Sequence, residues 1–83
     1  MDKINEERKE IDKLDDLIMQ LLNQRYDISD RIGNIKKATK VEISDTNREE
    51  IILNKTSKYS HYPQLKSVYM AIMNESKNSQ QRS

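Results

Sequence analysis

Apolar residues recur along the first half of the chain at Ile4, Ile11, Leu14, Ile18, Leu21, Ile28, Ile32 and Ile35. From Ile11 the steps alternate three and four, the spacing of a helix that buries one stripe against other helices. The pattern predicts a first helix over about residues 5–39, ~50 Å long at 1.5 Å per residue. One position breaks the stripe. Arg25 stands where the spacing asks for an apolar side chain, with Leu21, Leu22 and Ile28 around it. A buried, unpaired guanidinium is costly, so an anion must meet it. Either a carboxylate of the protein or a carboxylate of a ligand fills that role.

The periodicity changes after residue 39. Residues 40–44 carry Val41 and Ile43, weak helix formers, and lead into a helix start. Asp45 and Thr46 are both good N-caps, and Thr46 with Glu49 has capping-box spacing. A second helix is expected over about residues 47–58, with Ile51 and Ile52 inward. Residues 57–62 form a polar connector, and Pro63 suits the first turn of a third helix over about residues 63–81. One face of that helix carries Leu65, Tyr69, Ile72, Ser76 and Gln80, with Val68 and Met73 on its flanks, and residues 81–83 are expected to fray. The whole is one all-α domain of three helices spanning residues 1–83.

Composition sharpens this reading. A chain of 83 residues with one Gly and one Pro has little to interrupt long helices. A compact globule of this length has a radius of gyration of ~12 Å, so the first helix outspans it. The chain is 34% hydrophobic and 35% charged, which is lean for a lone core of this size. A second copy of the same chain is the simplest cover for the overhanging stripe, so an intertwined helical homodimer is expected.

A net charge of +1 argues against a nucleic-acid or acidic-membrane partner. With no cysteine and a single histidine, His61, neither a disulfide nor a metal site is expected. No apolar run approaches the ~20 residues of a membrane span, and the start of the chain lacks a signal-peptide core, so a cytoplasmic setting is expected.

The candidate chemistry is cationic. Arg25 and Lys36 are three turns apart, on the same helix face to within ~20° and separated by a rise of ~16 Å. Both side chains are long enough to lean into the space between them, which makes a slot sized for a small dianion. Salt bridges to Asp or Glu account for the same two residues. Ser76 and Gln80 extend the apolar face of the third helix with neutral hydrogen-bonding groups, as a helix turning polar near its end also does. Glu49 in a first helical turn complements the dipole; Arg48 there does not, and asks for another reason. Arg8 points ~100° away from Arg25 and cannot share a site with it on one helix. It could reach a partner chain's site in an intertwined dimer, or it is an ordinary exposed arginine. No carboxylate pair, Ser-His-Asp set, phosphate loop or dinucleotide-binding glycine motif is visible.

Taken in order, these positions resemble the all-α (bacterial type II) chorismate mutases. The pattern is Arg8, Ile11-Asp12-x-Leu14-Asp15, Leu21-Leu22-x-x-Arg25, Ile32-Gly33-x-x-Lys36, Asp45-x-x-Arg48-Glu49, then Ser76 and Gln80. The resemblance implies an intertwined homodimer of three-helix chains with two shared active sites. It implies rearrangement of chorismate to prephenate, a step toward phenylalanine and tyrosine, with no cofactor and no metal. By resemblance, Arg25 and the partner subunit's Arg8 bind the two substrate carboxylates, with Ser76 assisting at one. Lys36 and Gln80 donate to the ether oxygen, Glu49 and the backbone near Asp45 hold the ring hydroxyl, and Arg48 organises Glu49 and Asp45. Because Gln80 does not titrate, activity should not require acid pH, as it would with a carboxyl group there. Feedback control through an appended domain is not expected from this chain. Some relatives dock on another shikimate-pathway enzyme, and these residues do not speak to that.

Two other readings compete. Isochorismate-pyruvate lyases are similar in fold and pocket; the full Asp45, Arg48 and Glu49 set leans toward the mutase. A non-catalytic helical dimerisation module explains the seam and the long helix. It does not explain Arg25 in the seam together with Lys36 on its face and Ser76 and Gln80 on the apolar face of the third helix.

Overall fold

The computed structural model describes residues 2–82. Among these, three α-helices run in sequence order: α1 over Asp2–Thr39, α2 over Thr46–Lys55 and α3 over Tyr62–Arg82, with a 3-10 turn at Thr56–Lys58 joining the last two. There is no strand among the described residues. None of these helices is long and apolar enough to cross a membrane.

The 38-residue α1 is the long axis of the molecule, which measures 56 × 24 × 14 Å. The radius of gyration of 16.1 Å exceeds the ~12 Å of a compact chain of this length. Only the C-terminal part of α1 packs against α3, and residues 2–21 are exposed throughout. The predicted seam is therefore open within one chain: Ile11, Leu14, Ile18 and Leu21 are each more than half exposed.

α1 ends in a left-handed cap. Lys40 has φ 57°, the Val41 amide donates to the Lys36 carbonyl at 2.9 Å, and the Lys40 amide reaches the Lys37 carbonyl at 3.4 Å. That bond pattern is a Schellman motif, normally closed by glycine. A lysine there accepts a strained backbone because the turn sends residues 41–45 back across the end of α1.

The start of α2 corrects one detail of the sequence reading. Asp45, not Thr46, is the N-cap, and its carboxylate accepts from the Arg48 amide at 3.0 Å. Thr46 is the first helical residue, so the Thr46–Glu49 capping box does not form, and the Glu49 carboxylate is spent elsewhere. α2 is also shorter than expected. The helix gives way after Lys55 to a 3-10 turn, in which the buried Thr56 hydroxyl donates to the Leu53 carbonyl at 2.6 Å. Ile51, expected inward, is 56% exposed, whereas Ile52 is half-buried. A ten-residue helix lying along α3 by one edge covers only one of two adjacent positions, which sit ~100° apart.

α3 buries its face progressively. Leu65 and Tyr69 are half-buried, and Ile72, Met73, Ser76 and Gln80 are buried. The expected fraying does not extend to residues 81 and 82, which remain helical. Bonds from Ser79 to Asp30 and from Gln80 to Ser29 tie that last turn to α1. Ser83 lies outside the described residues.

Candidate active site

The interior of this chain is more polar than apolar. Among the described residues, Ser29, Thr56, Ser76 and Gln80 are buried, against only Ile72 and Met73 of the hydrophobic ones. Buried polar groups persist only when hydrogen-bonded: Thr56 bonds within its own turn, whereas Ser29, Ser76 and Gln80 bond across the contact between α1 and α3. The Arg25 Nη1 donates to the Ser76 hydroxyl at 2.9 Å, and that hydroxyl donates to the Ile72 carbonyl at 3.0 Å. One turn further along both helices, the Gln80 Nε2 donates to the Ser29 hydroxyl at 2.9 Å. One more turn along α1 lies Gly33. A Cβ built there would stand 2.8 Å from the Gln80 Cγ and 3.0 Å from its Cβ. The single glycine of the chain thus marks a close approach of α3 to α1, at some cost in helix propensity.

The segment before α2 closes the end of this arrangement. The Lys36 Nζ donates to the Ile43 carbonyl at 2.9 Å, which pins the returning chain over the cation. From the first turn of α2 the Glu49 Oε2 reaches the Lys77 Nζ of α3 at 3.1 Å. Between these elements lies a cavity of about 280 Å³, walled on its apolar side by Ile28, Ile32, Ile52 and Met73.

Arg25, Lys36, Asp45, Arg48, Glu49, Ser76 and Gln80 all line this cavity. They come from three separate stretches of chain. Arg8 does not join them; it sits on the exposed arm of α1, ~26 Å along the helix from Arg25. Arg48 is exposed, with its backbone amide on Asp45, and the partner of the Glu49 carboxylate is Lys77 rather than Arg48.

Two lining residues escaped the sequence reading. Ser29 was accessible in principle: it follows Arg25 by one turn and so faces the same way. Lys77 had no local signal, because its partner Glu49 is on a different helix.

Electrostatics separate the two explanations of Arg25. Among the described residues, neither Arg25 nor Lys36 forms an ion pair, although both are half-buried. Their partners are a hydroxyl and a carbonyl, which satisfy donors without cancelling charge. Arg48 and Lys77 add two cations to the cavity lining, and Asp45 and Glu49 add two carboxylates. The lining therefore keeps two positive charges in excess, the complement of a dianion. No grouping of three or more His, Cys, Asp or Glu side chains among the described residues could hold a metal ion.

Among the described residues the chain is thus a helical scaffold around a cavity lined by cations, with buried neutral donors beside them. Residues 7–81 match the family described as chorismate mutase type II, and the chain belongs to that family. Over 55 residues it is 42% identical to the bifunctional chorismate mutase/prephenate dehydratase of Aquifex aeolicus (strain VF5). That match covers 66% of this chain but only 15% of the length of the relative. No solved structure matches significantly.

Proposed function

We propose that this chain is a chorismate mutase that isomerises chorismate to prephenate by a [3,3]-sigmatropic rearrangement, working as an intertwined homodimer with two shared active sites. The observation that carries the reading is the pair of half-buried cations, Arg25 and Lys36, that open into one cavity and have no carboxylate partner among the described residues.

The reaction breaks a carbon–oxygen bond and forms a carbon–carbon bond in one cyclic movement of electrons. It requires no nucleophile and no proton transfer. The protein must hold the dianion folded with its two reacting ends together, a near-attack conformation. Arg25, with Ser76 beside it, clamps one carboxylate, and Arg8 of the partner subunit takes the other. Negative charge grows on the ether oxygen as its bond stretches. Lys36 and Gln80 donate to that oxygen, and such donors stabilise the transition state more than the ground state. Glu49, steadied by Lys77, accepts from the ring hydroxyl near the Asp45 cap, and Arg48 adds positive charge at the rim. The exposed stripe of α1 supports the dimer, because Ile11, Leu14, Ile18 and Leu21 lack cover within the chain and that same arm carries Arg8.

Chorismate consumption by the purified protein, with product identification and a molar-mass measurement, tests the reading. Prephenate from a two-chain particle is the expected result. Salicylate and pyruvate from isochorismate without prephenate from chorismate, or no turnover of either, would overturn it.

A further inference from the structure

Gln80 meets α1 at two residues one turn apart. Its Nε2 donates to the Ser29 hydroxyl at 2.9 Å, and its Cγ lies over Gly33, only 2.8 Å from where a Cβ would stand. Both Ser29 and Gln80 are buried, at 6% and 7% exposure, and both line the cavity. We propose that Ser29 is a positioning residue of the site, whose hydroxyl aims the Gln80 carboxamide at the reacting oxygen of the bound dianion. The inference rests on the proposed mutase reading and deepens it.

A glutamine has three side-chain torsions, and the last of them is broad, with no sharp rotamer well. A buried glutamine left to itself therefore does not present its N–H along one direction. An electrostatic donor works only when it is fixed in place before charge develops. Gly33 lets the aliphatic part of Gln80 lie flat on α1, which brings the carboxamide within reach of Ser29. The Ser29 hydroxyl then holds the nitrogen end of the amide.

The rung one turn earlier has the same construction with the helices exchanged. There a serine of α3, Ser76, meets Arg25 of α1. Here a serine of α1 meets Gln80 of α3. In both, a short hydroxyl on one helix steadies a long cavity-lining side chain on the other.

The test is a double-mutant cycle on chorismate turnover with wild type, Ser29→Ala, Gln80→Ala and the double variant. Ser29→Ala is expected to lower kcat about tenfold, less than the hundredfold of a full ångström of misplacement, with KM shifted less than about threefold. In the Gln80→Ala background the same change should cost less than about twofold, because the group it aims is gone. Ser29→Thr, which keeps the hydroxyl, should recover most of the lost kcat. Circular dichroism and molar mass confirm that the variants remain folded. An unchanged kcat for Ser29→Ala, or an equal fall in both backgrounds, overturns the inference while leaving the mutase reading intact. A wild-type protein that does not turn over chorismate overturns both together.

Discussion

The two halves of α1 obey different rules although they form one uninterrupted helix. Its first twenty residues follow a regular apolar spacing, yet this chain covers none of them. From Arg25 to Lys36 the positions that bond to or lie closest against the rest of the molecule include an arginine, a serine, an aspartate, a glycine and a lysine. The apolar half is left uncovered by this chain, and the polar half bonds to α3 and to the segment before α2. Hydrophobic periodicity therefore marks where another surface is needed. The breaks in that periodicity mark where the chain bonds to itself.

The sharpest way to break this contrast is to make the polar half apolar. Arg25→Leu completes the stripe and should leave a folded dimer of equal or greater stability. Chorismate turnover should fall by at least about 10³-fold, because a substrate carboxylate loses its clamp. A stable Arg25→Leu protein that keeps its activity would remove Arg25 from the site. Lys36→Ala and Gln80→Ala should each lower kcat by about 10²–10³-fold, the typical loss for one electrostatic donor. Steady-state kinetics at matched protein folding reads both.

The next test joins the two halves. Arg8→Ala chains and Arg25→Ala chains should each be inactive as homodimers. Refolded together, they should recover about a quarter of wild-type activity, since half the particles are mixed and each mixed particle has one intact site. Mixed dimers that form without regaining activity would place Arg8 of the partner subunit outside the site.

Smaller effects probe the backbone that holds the polar half in place. Gly33→Ala puts a methyl group against Gln80, and overpacking of this kind costs roughly 1–3 kcal/mol. Thermal unfolding should show the loss. Turnover should fall with it, because the displaced group is Gln80. Lys40→Gly should act the other way, relieving the left-handed backbone at the end of α1 by roughly 1 kcal/mol. It should raise the unfolding midpoint and leave kcat unchanged.

Several parts of this molecule were legible without coordinates. The spacing of Ile11, Leu14, Ile18 and Leu21 announced a helix, and Arg25 stood out within it as a polar position, which the structure pairs with the Ser76 hydroxyl. Pro63 marked the start of α3. The polar face of α3 was visible as Ser76 and Gln80, although a helix turning polar near its end explained it equally well. The N-cap was harder, because Asp45 and Thr46 are chemically equivalent candidates. The backbone turn after Lys40 chose Asp45 and released Glu49 to meet Lys77.

What the amino-acid order determined by itself is therefore local and periodic: which stretches coil, which stripe is apolar, and which residue in the stripe is out of place. These follow from dihedral preferences and side-chain repeats that act over a few residues. Tertiary structure alone decided which distant groups share a cavity. Ser29 met Gln80, Glu49 met Lys77, and Lys36 met the Ile43 carbonyl, because Gly33 let α3 lie close on α1 and the cap at Lys40 returned the chain over its end. Those pairings depend on the approach of two helix backbones, a distance that no repeat along the chain encodes.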